Sequence, residues 1–296
     1  MTGVARLAFL GTPEIAVPPL RALVDAGHDV VLCVTRPDRR RGRGSAVTPS
    51  PVKAAALELG LAVSHSMEDV ADAEVELAVV VAYGRIIPAS LLARVPMVNL
   101  HFSLLPRWRG AAPVERALLA GDEETGVCLM KVEEGLDTGP VYGRLVVPIG
   151  HDVDLSTLRH ELVTAGCTLL VAALAHGAAG LPAPVPQSGE PTIAPKLTPD
   201  DLRLAWDEPA AQLHRVVRLG RAWTTFRGKR LGVLRATPVP APVEAGPPGT
   251  LMGTVVCTGA GGLALDQVQP ESRAPMPAGD WARGVRPLAG ERLGSD

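Results

Sequence analysis

The chain has 296 residues, of which 47% are hydrophobic and 20% are charged, so it is long enough for one large domain and a smaller one. No apolar run approaches the roughly 18 residues that a membrane helix needs, and the N-terminus lacks the basic flank and apolar core of a signal peptide. The sequence therefore predicts a cytoplasmic protein. The four cysteines are far apart, which favours reduced thiols, and we expect no bound metal.

The net charge of −2 conceals an uneven distribution of charge along the chain. From residue 211 onward there are 11 Lys and Arg against 6 Asp and Glu, whereas the preceding residues carry 18 and 25. A basic end on an acidic body is typical of proteins with a polyanionic partner, although solvated arginines are also common on protein surfaces.

The first elements alternate between strand and helix. The run from Val4 to Leu10 predicts a buried strand, which is followed by a helix from Pro13 to about Ala26 and a strand at 30–34. Further strands are expected at 77–81, 97–101, 127–132 and 141–147, with helices near 51–59, 88–94, 113–120 and 155–176. Asp154 stands where the last helix needs an N-cap. This alternation predicts an α/β domain over residues 1–180 with an open, mostly parallel, Rossmann-like sheet.

The remaining sequence predicts a linker and a second domain. Residues 181–206 are rich in proline, which fixes the backbone and removes hydrogen-bond donors. Beyond them, an amphipathic helix near 209–219 precedes short β-like runs at 231–236, 253–258 and 263–268. We therefore expect residues 207–296 to form a small basic β-barrel of the OB type.

Several common catalytic motifs are missing. The turn after the first strand reads Gly11-Thr12-Pro13-Glu14 and lacks the glycine pattern that brings a backbone against a pyrophosphate. The stretch 259–264 has that spacing but leads into strand-like residues, which indicates a turn. The chain also lacks a P-loop, a G-x-S-x-G elbow and an H-E-x-x-H pair, so kinase, serine hydrolase and zincin activities lose their main support.

The candidate site rests on polar residues beside predicted core strands. Asn99 and His101 are two residues apart on one strand and so share a face. Asp137 follows another predicted core strand, and we expect it to meet them at the carboxyl edge of the sheet. An Asn/His/Asp set without a nucleophilic side chain suits a transfer reaction in which the substrate supplies the nucleophile. The alternative is that these residues only satisfy local backbone groups.

Three segments together resemble the folate-dependent formyltransferases: 99–110, the Asp137-Thr138-Gly139 loop and the opening 9–13. Within that superfamily, residues 35–38, 42–44, 49–53, 81–84 and 103–113 are similar to the methionyl-tRNA formyltransferase family. The likeness continues through 194–197 to Gly249-Thr250, and only the last roughly 30 residues match weakly.

The resemblance implies the transfer of a formyl group from 10-formyltetrahydrofolate to the α-amino group of methionine on initiator tRNA, for translation initiation. It implies that Asn99 and His101 polarise the formyl oxygen and that Asp137 moves protons. The folate would lie at Ser103, Leu104, Leu105 and Pro106, and the pteridine pocket would be walled by Arg85, Ile86 and Ile87. Phe102 departs from the small residues common at its position in the family.

Two basic groups are expected to bind tRNA, in a protein that we expect to be monomeric. The first is a glycine-punctuated loop suited to the acceptor end, with Arg36, Arg39, Arg40, Arg41 and Arg43. The second lies in the C-terminal domain and includes Arg215, Arg218, Lys229 and Arg230.

Three alternatives remain open at this stage. Glycinamide ribonucleotide and sugar-nucleotide formyltransferases share the Asn/His/Asp set, although the linker and basic β-domain argue against both. A hydrolase would use water in place of the amine and release formate. A non-catalytic folate- or RNA-binding protein would bind its ligand without turnover.

Overall fold

The computed structural model describes residues 3–40, 47–240 and 246–295, with the side chains of 39, 40 and 47 excluded. The chain separates into two compact units. The first comprises Met1–Pro113, Glu124–Pro148 and Arg159–Pro195. The second comprises Val114–Glu123, Ile149–Leu158 and Lys196–Asp296. Neither unit is therefore a single continuous stretch of sequence.

The strands of the first unit are β1 (Arg6–Gly11), β2 (Asp29–Val34), β3 (Arg39–Arg40), β4 (Val47–Thr48), β5 (Ala62–Ser64), β6 (Leu77–Val81), β7 (Met97–His101), β8 (Arg109–Gly110), β9 (Glu124–Lys131), β10 (Val141–Pro148) and β11 (Ile193–Ala194). Seven of them form one sheet in the order β10-β9-β7-β6-β1-β2-β5. β9 is antiparallel to both of its neighbours, and the other pairs are parallel. The predicted α/β fold with a mostly parallel sheet is confirmed.

The helices up to residue 173 are α1 (Val17–Asp25), α2 (Pro51–Glu58), α3 (Ala89–Leu92), α4 (Pro113–Ala120) and α5 (Leu155–Ala173). Two helix starts follow from local chemistry. Ser50 caps α2 by accepting a hydrogen bond from the Lys53 N–H at 3.1 Å, and Pro51 fills a first-turn position that needs no donor. Asp154 Oδ1 accepts from the Thr157 N–H at 2.8 Å, as the sequence predicts for the start of α5.

The second unit contains an antiparallel sheet of β12 (Ala222–Phe226), β13 (Lys229–Val239), β14 (Leu251–Met252), β15 (Val255–Cys257), β16 (Gly262–Pro270) and β17 (Met276–Pro277), with helices α6 (Ala210–Val217) and α7 (Ala278–Val285). Its core includes Trp206, Phe226 and Trp281, and the last two rings meet edge to face at 5.1 Å. The strand order β12-β13-β16-β15-β14 is an open path, with β17 added beside β16. In the described ranges no pairing closes this sheet into a barrel.

None of the helices within the described residues is long and apolar enough to cross a membrane.

An ion pair in the second unit links the start of α4 to the short helix at 200–202. Arg116 contacts both carboxylate oxygens of Asp201, at 2.7 and 3.2 Å, and Asp201 also accepts a hydrogen bond from the Thr198 N–H at 2.7 Å. The hydrogen bond from Arg116 is the main cause that lowers the pKa of Asp201 from 3.8 to about 2. Since the folded pKa is depressed, the carboxylate stabilises the fold above about pH 4 and loses this contribution as the pH falls through about 2.

We therefore expect Asp201→Asn to lower the free energy of unfolding at pH 7 by about 1 to 2 kcal/mol. Denaturant unfolding of both proteins at pH 7 and at pH 3 measures the difference, which should shrink at the lower pH. Asp200→Asn, an exposed neighbour, is the matched control. An equal difference at both pH values would show that the charge of Asp201 is not responsible.

Candidate active site

Asn99 and His101 lie on β7, in the interior of the first sheet. Asn99 is paired with Val80 on β6 and with Met130 on β9, and His101 is paired with Cys128. The two side chains project from the same face because they are two residues apart. His101 is buried and Asn99 is half-buried. Two polar side chains thus leave a strand whose other members are apolar and buried.

The imidazole of His101 is fixed by the loop that follows β7. Its Nε2 lies 2.9 Å from the carbonyl oxygen of Trp108. Because a carbonyl can only accept, Nε2 carries the proton, and Nδ1 is the ring atom that faces Asp137. Nδ1 lies 3.6 Å from Asp137 Oδ2, with both side chains mostly buried. This separation is longer than a hydrogen bond, and it places the carboxylate directly opposite the ring nitrogen.

Asp137 reaches His101 by a route that the sequence does not predict. β9 runs antiparallel to β7, so its last residue, Lys131, is paired with Val98 near the beginning of β7. The expected meeting of Asp137 with His101 is observed, but the end of β9 does not bring it about, because that strand ends at the opposite edge of the sheet. The loop at 132–140 returns to the site instead, and Asp137 sits there in the left-handed region with φ of 50°. Its Oδ2 accepts a hydrogen bond from the Gly110 N–H at 2.8 Å.

Gly110 meets two requirements that only glycine satisfies easily. Its φ is 116°, and a Cβ at this position would lie 3.0 Å from the carbonyl oxygen of Ala194. The close approach comes from the parallel pairing of β8 with β11. Glycine at 110 thus allows the backbone N–H to point at the Asp137 carboxylate.

Two side chains beside His101 that could act as nucleophiles, Ser103 and Cys128, are unsuited to attack. The Ser103 hydroxyl donates a hydrogen bond to the Arg107 carbonyl at 2.6 Å. The Cys128 thiol is buried, and desolvation raises its pKa. The geometry therefore leaves the nucleophile to the substrate, with His101 and Asp137 available for charge stabilisation and proton transfer.

Comparison with known proteins agrees with this chemistry. Residues 5–174 match the model of the formyl transferase family, and residues 196–286 match the model of its C-terminal domain. The chain is 45% identical to the methionyl-tRNA formyltransferase of Paenarthrobacter aurescens, covering 95% of this chain and 97% of the relative. The relative from Streptomyces coelicolor, of the same name, is 43% identical over 98% and 99%. The chain belongs to the methionyl-tRNA formyltransferase family. It is a formyl-transferring enzyme.

Solved structures share the fold of this family member at lower sequence identity. An N-formyltransferase from Helicobacter canadensis, in complex with folinic acid and dTDP-3-aminofucose, gives a TM-score of 0.67 at 15% identity, covering 88% of this chain and 99% of that one. HypX from Aquifex aeolicus, in complex with tetrahydrofolic acid, gives 0.64 at 16% identity. That alignment covers 97% of this chain and 48% of HypX.

The residues expected to bind folate have different degrees of exposure. Leu105 is buried against Cys128, Met130 and Val141, whereas Leu104 and Pro106 are half-buried. Ile87 belongs to the core of the first unit with Tyr83, and so it can only support a pocket wall from behind. Arg85 and Ile86 are exposed, Ile86 at 88%, as is Leu136 at 60% in the loop before Asp137.

The basic residues expected to bind tRNA also differ in their surroundings. Arg36 is half-buried, and only the backbone of Arg39 and Arg40 is described, in the β3–β4 pair. Arg41 and Arg43 lie outside the described residues.

The C-terminal basic residues fall into two classes. Arg215 donates to the Ala120 carbonyl, and Arg218 donates to the carbonyls of Gly150 and Val153. These two guanidinium groups therefore stabilise the second unit by bonding to its backbone. Lys229 and Arg230 are instead exposed beside the turn that joins β12 to β13. The Arg230 guanidinium lies 4.6 Å from the centre of the Trp223 ring.

One group of three potential metal ligands is found among the described residues: His151, Asp152 and His214, in the second unit. Asp152 Oδ1 lies 2.8 Å from His151 Nδ1, and this hydrogen bond lowers the pKa of the carboxyl. Burial lowers the pKa of His214. None of these residues belongs to the site around His101.

Proposed function

We propose that Asn99, His101 and Asp137 catalyse the transfer of the formyl group of 10-formyltetrahydrofolate to the α-amino group of methionine on initiator tRNA. The observation that carries the proposal is the facing pair of His101 Nδ1 and Asp137 Oδ2. Each member is held by a backbone group, the Trp108 carbonyl or the Gly110 N–H. Such preorganised groups avoid reorganisation during the reaction.

In the proposed reaction, the amine nitrogen bonds to the formyl carbon, and the C=O electron pair moves onto oxygen. The Asn99 amide and the imidazole of His101 stabilise this oxyanion. Asp137 takes the proton that the amine loses. When the oxyanion re-forms C=O, the bond from carbon to N10 breaks and its electron pair stays on N10. N10 then receives the proton that Asp137 took from the amine, which returns Asp137 to its carboxylate form. Formylmethionyl-tRNA and tetrahydrofolate are the products.

The exposed apolar side chains near the site support the folate assignment. Ile86 follows β6, the neighbour of β7, and Leu136 directly precedes Asp137. Large apolar groups that are 88% and 60% exposed are suited to packing against a flat ring. We propose that the pteridine binds between these loops and that 103–106 form the rest of the folate site. Leu104 and Pro106 would contact the folate, and the buried Ser103 and Leu105 would support the segment from within.

The first experiment is a formyl-transfer assay with methionyl initiator tRNA, a methionyl elongator tRNA, deacylated tRNA and a reaction without tRNA. We expect formylation of the initiator alone. Formate release at the same rate in every reaction would indicate a hydrolase, and folate binding without turnover would indicate a binding protein.

We propose that Lys229 and Arg230 bind tRNA phosphates, because both are exposed. Lys229→Ala/Arg230→Ala should raise the KM for tRNA and reduce its salt dependence, with a slope lower by up to about 2. Folate binding should not change. Steady-state kinetics over a salt series measure the slope. Arg94→Ala, which removes one exposed positive charge from the first unit, is the control for each of the single variants Lys229→Ala and Arg230→Ala. The same slope in the double variant and the wild type would contradict the contact.

The finer parts of the sequence prediction belong to the same proposal: the division at 180 and 206, an OB-like barrel in the C-terminal domain, a monomer and a cytoplasmic location. Arg39, Arg40, Arg41 and Arg43 are proposed to contact the acceptor end of the tRNA together with Arg36.

A further inference from the structure

The proline-rich segment after residue 180 is bonded to both loops of the candidate site. We call residues 185–194 the strap. Val185 and Val141 exchange two backbone hydrogen bonds of 2.8 Å. At the other end, the Arg109 N–H donates to the Thr192 carbonyl at 2.8 Å, and the Trp108 N–H donates to Thr192 Oγ1 at 2.8 Å. All of these residues lie in the first unit.

Between these two attachments, the side chain of Gln187 contacts both loops at once. Its Nε2 donates to the carbonyl oxygens of Asp137 and Gly139, both at 2.8 Å. Its Oε1 accepts from Arg109 Nη2 at 2.7 Å and from Nε at 3.1 Å. Both amide hydrogens and both acceptor positions of Gln187 are therefore used. Such complete use of its hydrogen-bonding groups indicates that this half-buried glutamine has a specific function.

The four contacts of Gln187 complete a ring of hydrogen-bonded groups that includes Asp137. Asp137 has a left-handed backbone, which costs a non-glycine residue about 1 kcal/mol and needs support from its surroundings. Gln187 bonds the carbonyl of this residue, and through Arg109 it is joined to the neighbour of Gly110. The Gly110 N–H in turn holds Asp137 Oδ2. Gln187 thus holds the main chain of Asp137 and Gly110 holds its carboxylate, and the two are connected through Arg109.

We infer that Gln187 is a positioning residue for formyl transfer, which sets the Asp137 carboxylate against His101. This inference rests on the proposed function. Displacing a catalytic group by about 1 Å costs on the order of 100-fold in rate, whereas substrate contacts made elsewhere are kept. Loss of Gln187 should therefore lower the rate of the chemical step far more than it raises either KM.

Two substitutions separate the contacts of Gln187. Gln187→Met removes all four hydrogen bonds at nearly constant volume. Gln187→Glu keeps an acceptor for Arg109 but places a carboxylate oxygen against the carbonyls of Asp137 and Gly139. In full-length enzyme at saturating substrates, single-turnover rates should fall about 10- to 100-fold in both variants, with folate and tRNA affinities within about threefold of wild type. Gln269→Met, which removes a glutamine of β16, is the control.

The pH dependence distinguishes positioning from general stabilisation. The new negative charge in Gln187→Glu should move the acidic limb of the rate profile to higher pH, because a like charge disfavours the ionised form of a neighbouring acid. Gln187→Met should keep the position of the limb and lower only the plateau. Rates within twofold of wild type in both variants, or a rate loss that disappears when the temperature is lowered to restore folding, would overturn the inference. Asp137→Asn with wild-type activity would instead overturn the proposed function.

Discussion

Asp137→Asn is expected to reduce the turnover of formyl transfer to less than a tenth of wild type, and most plainly in single-turnover experiments. The amide keeps the shape of the carboxylate, and its oxygen can still accept from the Gly110 N–H, so the loop should stay in place. What is lost is a group able to take the proton of the attacking amine and a negative charge 3.6 Å from His101 Nδ1. Both losses act on the transition state rather than on binding.

We expect a lower kcat with nearly unchanged KM values for folate and methionyl-tRNA. A thermal unfolding curve of the variant shows whether it is folded. Asp29→Asn, in an ion pair with Arg6 in the same unit, is a matched control that removes a carboxylate away from the site. A rate above a tenth of wild type in Asp137→Asn would exclude proton transfer by this residue.

The sequence predicts the elements that place Asn99 and His101, because β1 and β6 are largely apolar runs and β7 is apolar apart from these two residues, with almost every residue buried. It does not predict the direction of β9. No local pattern distinguishes a parallel from an antiparallel core strand, since both are buried on two faces. The contact of Asp137 with His101 therefore depends on a loop whose course only the structure shows.

Other omissions have different physical causes. β12 is absent from the prediction because an inward position is occupied by Thr224, which breaks the apolar alternation. The buried hydroxyl is satisfied by the Trp206 Nε1–H at 3.0 Å, a partner 18 residues away. The strap was interpreted as linker because proline prevents regular hydrogen-bonding. Its bonds are made to residues 44 to 86 positions away, and single-sequence patterns carry no information about such contacts.

Asn99→Ala is expected to lower kcat by about 10² to 10³ while the KM values change little, the usual cost of losing one oxyanion donor. Asn99→Asp should be at least as impaired, because it keeps the size of the side chain but sets a negative charge against the developing oxyanion. This order separates oxyanion stabilisation from packing. If Asn99 only filled space on β7, the isosteric aspartate would be the milder change.

Asn99 is the only asparagine in the chain, which allows its role to be tested directly. Protein labelled with ¹⁵N in asparagine alone has a single side-chain amide signal. Binding of a stable formyl-folate analogue should shift that signal, because the amide N–H would then donate to the formyl oxygen. His101→Ala should leave the shift in place, since the Asn99 amide donates to the oxygen without help from the imidazole. If the signal does not shift when the folate analogue binds, Asn99 does not donate to the formyl oxygen, whatever the rate of Asn99→Ala. The rate alone cannot decide this, because a slow variant does not distinguish a lost hydrogen bond from a displaced strand.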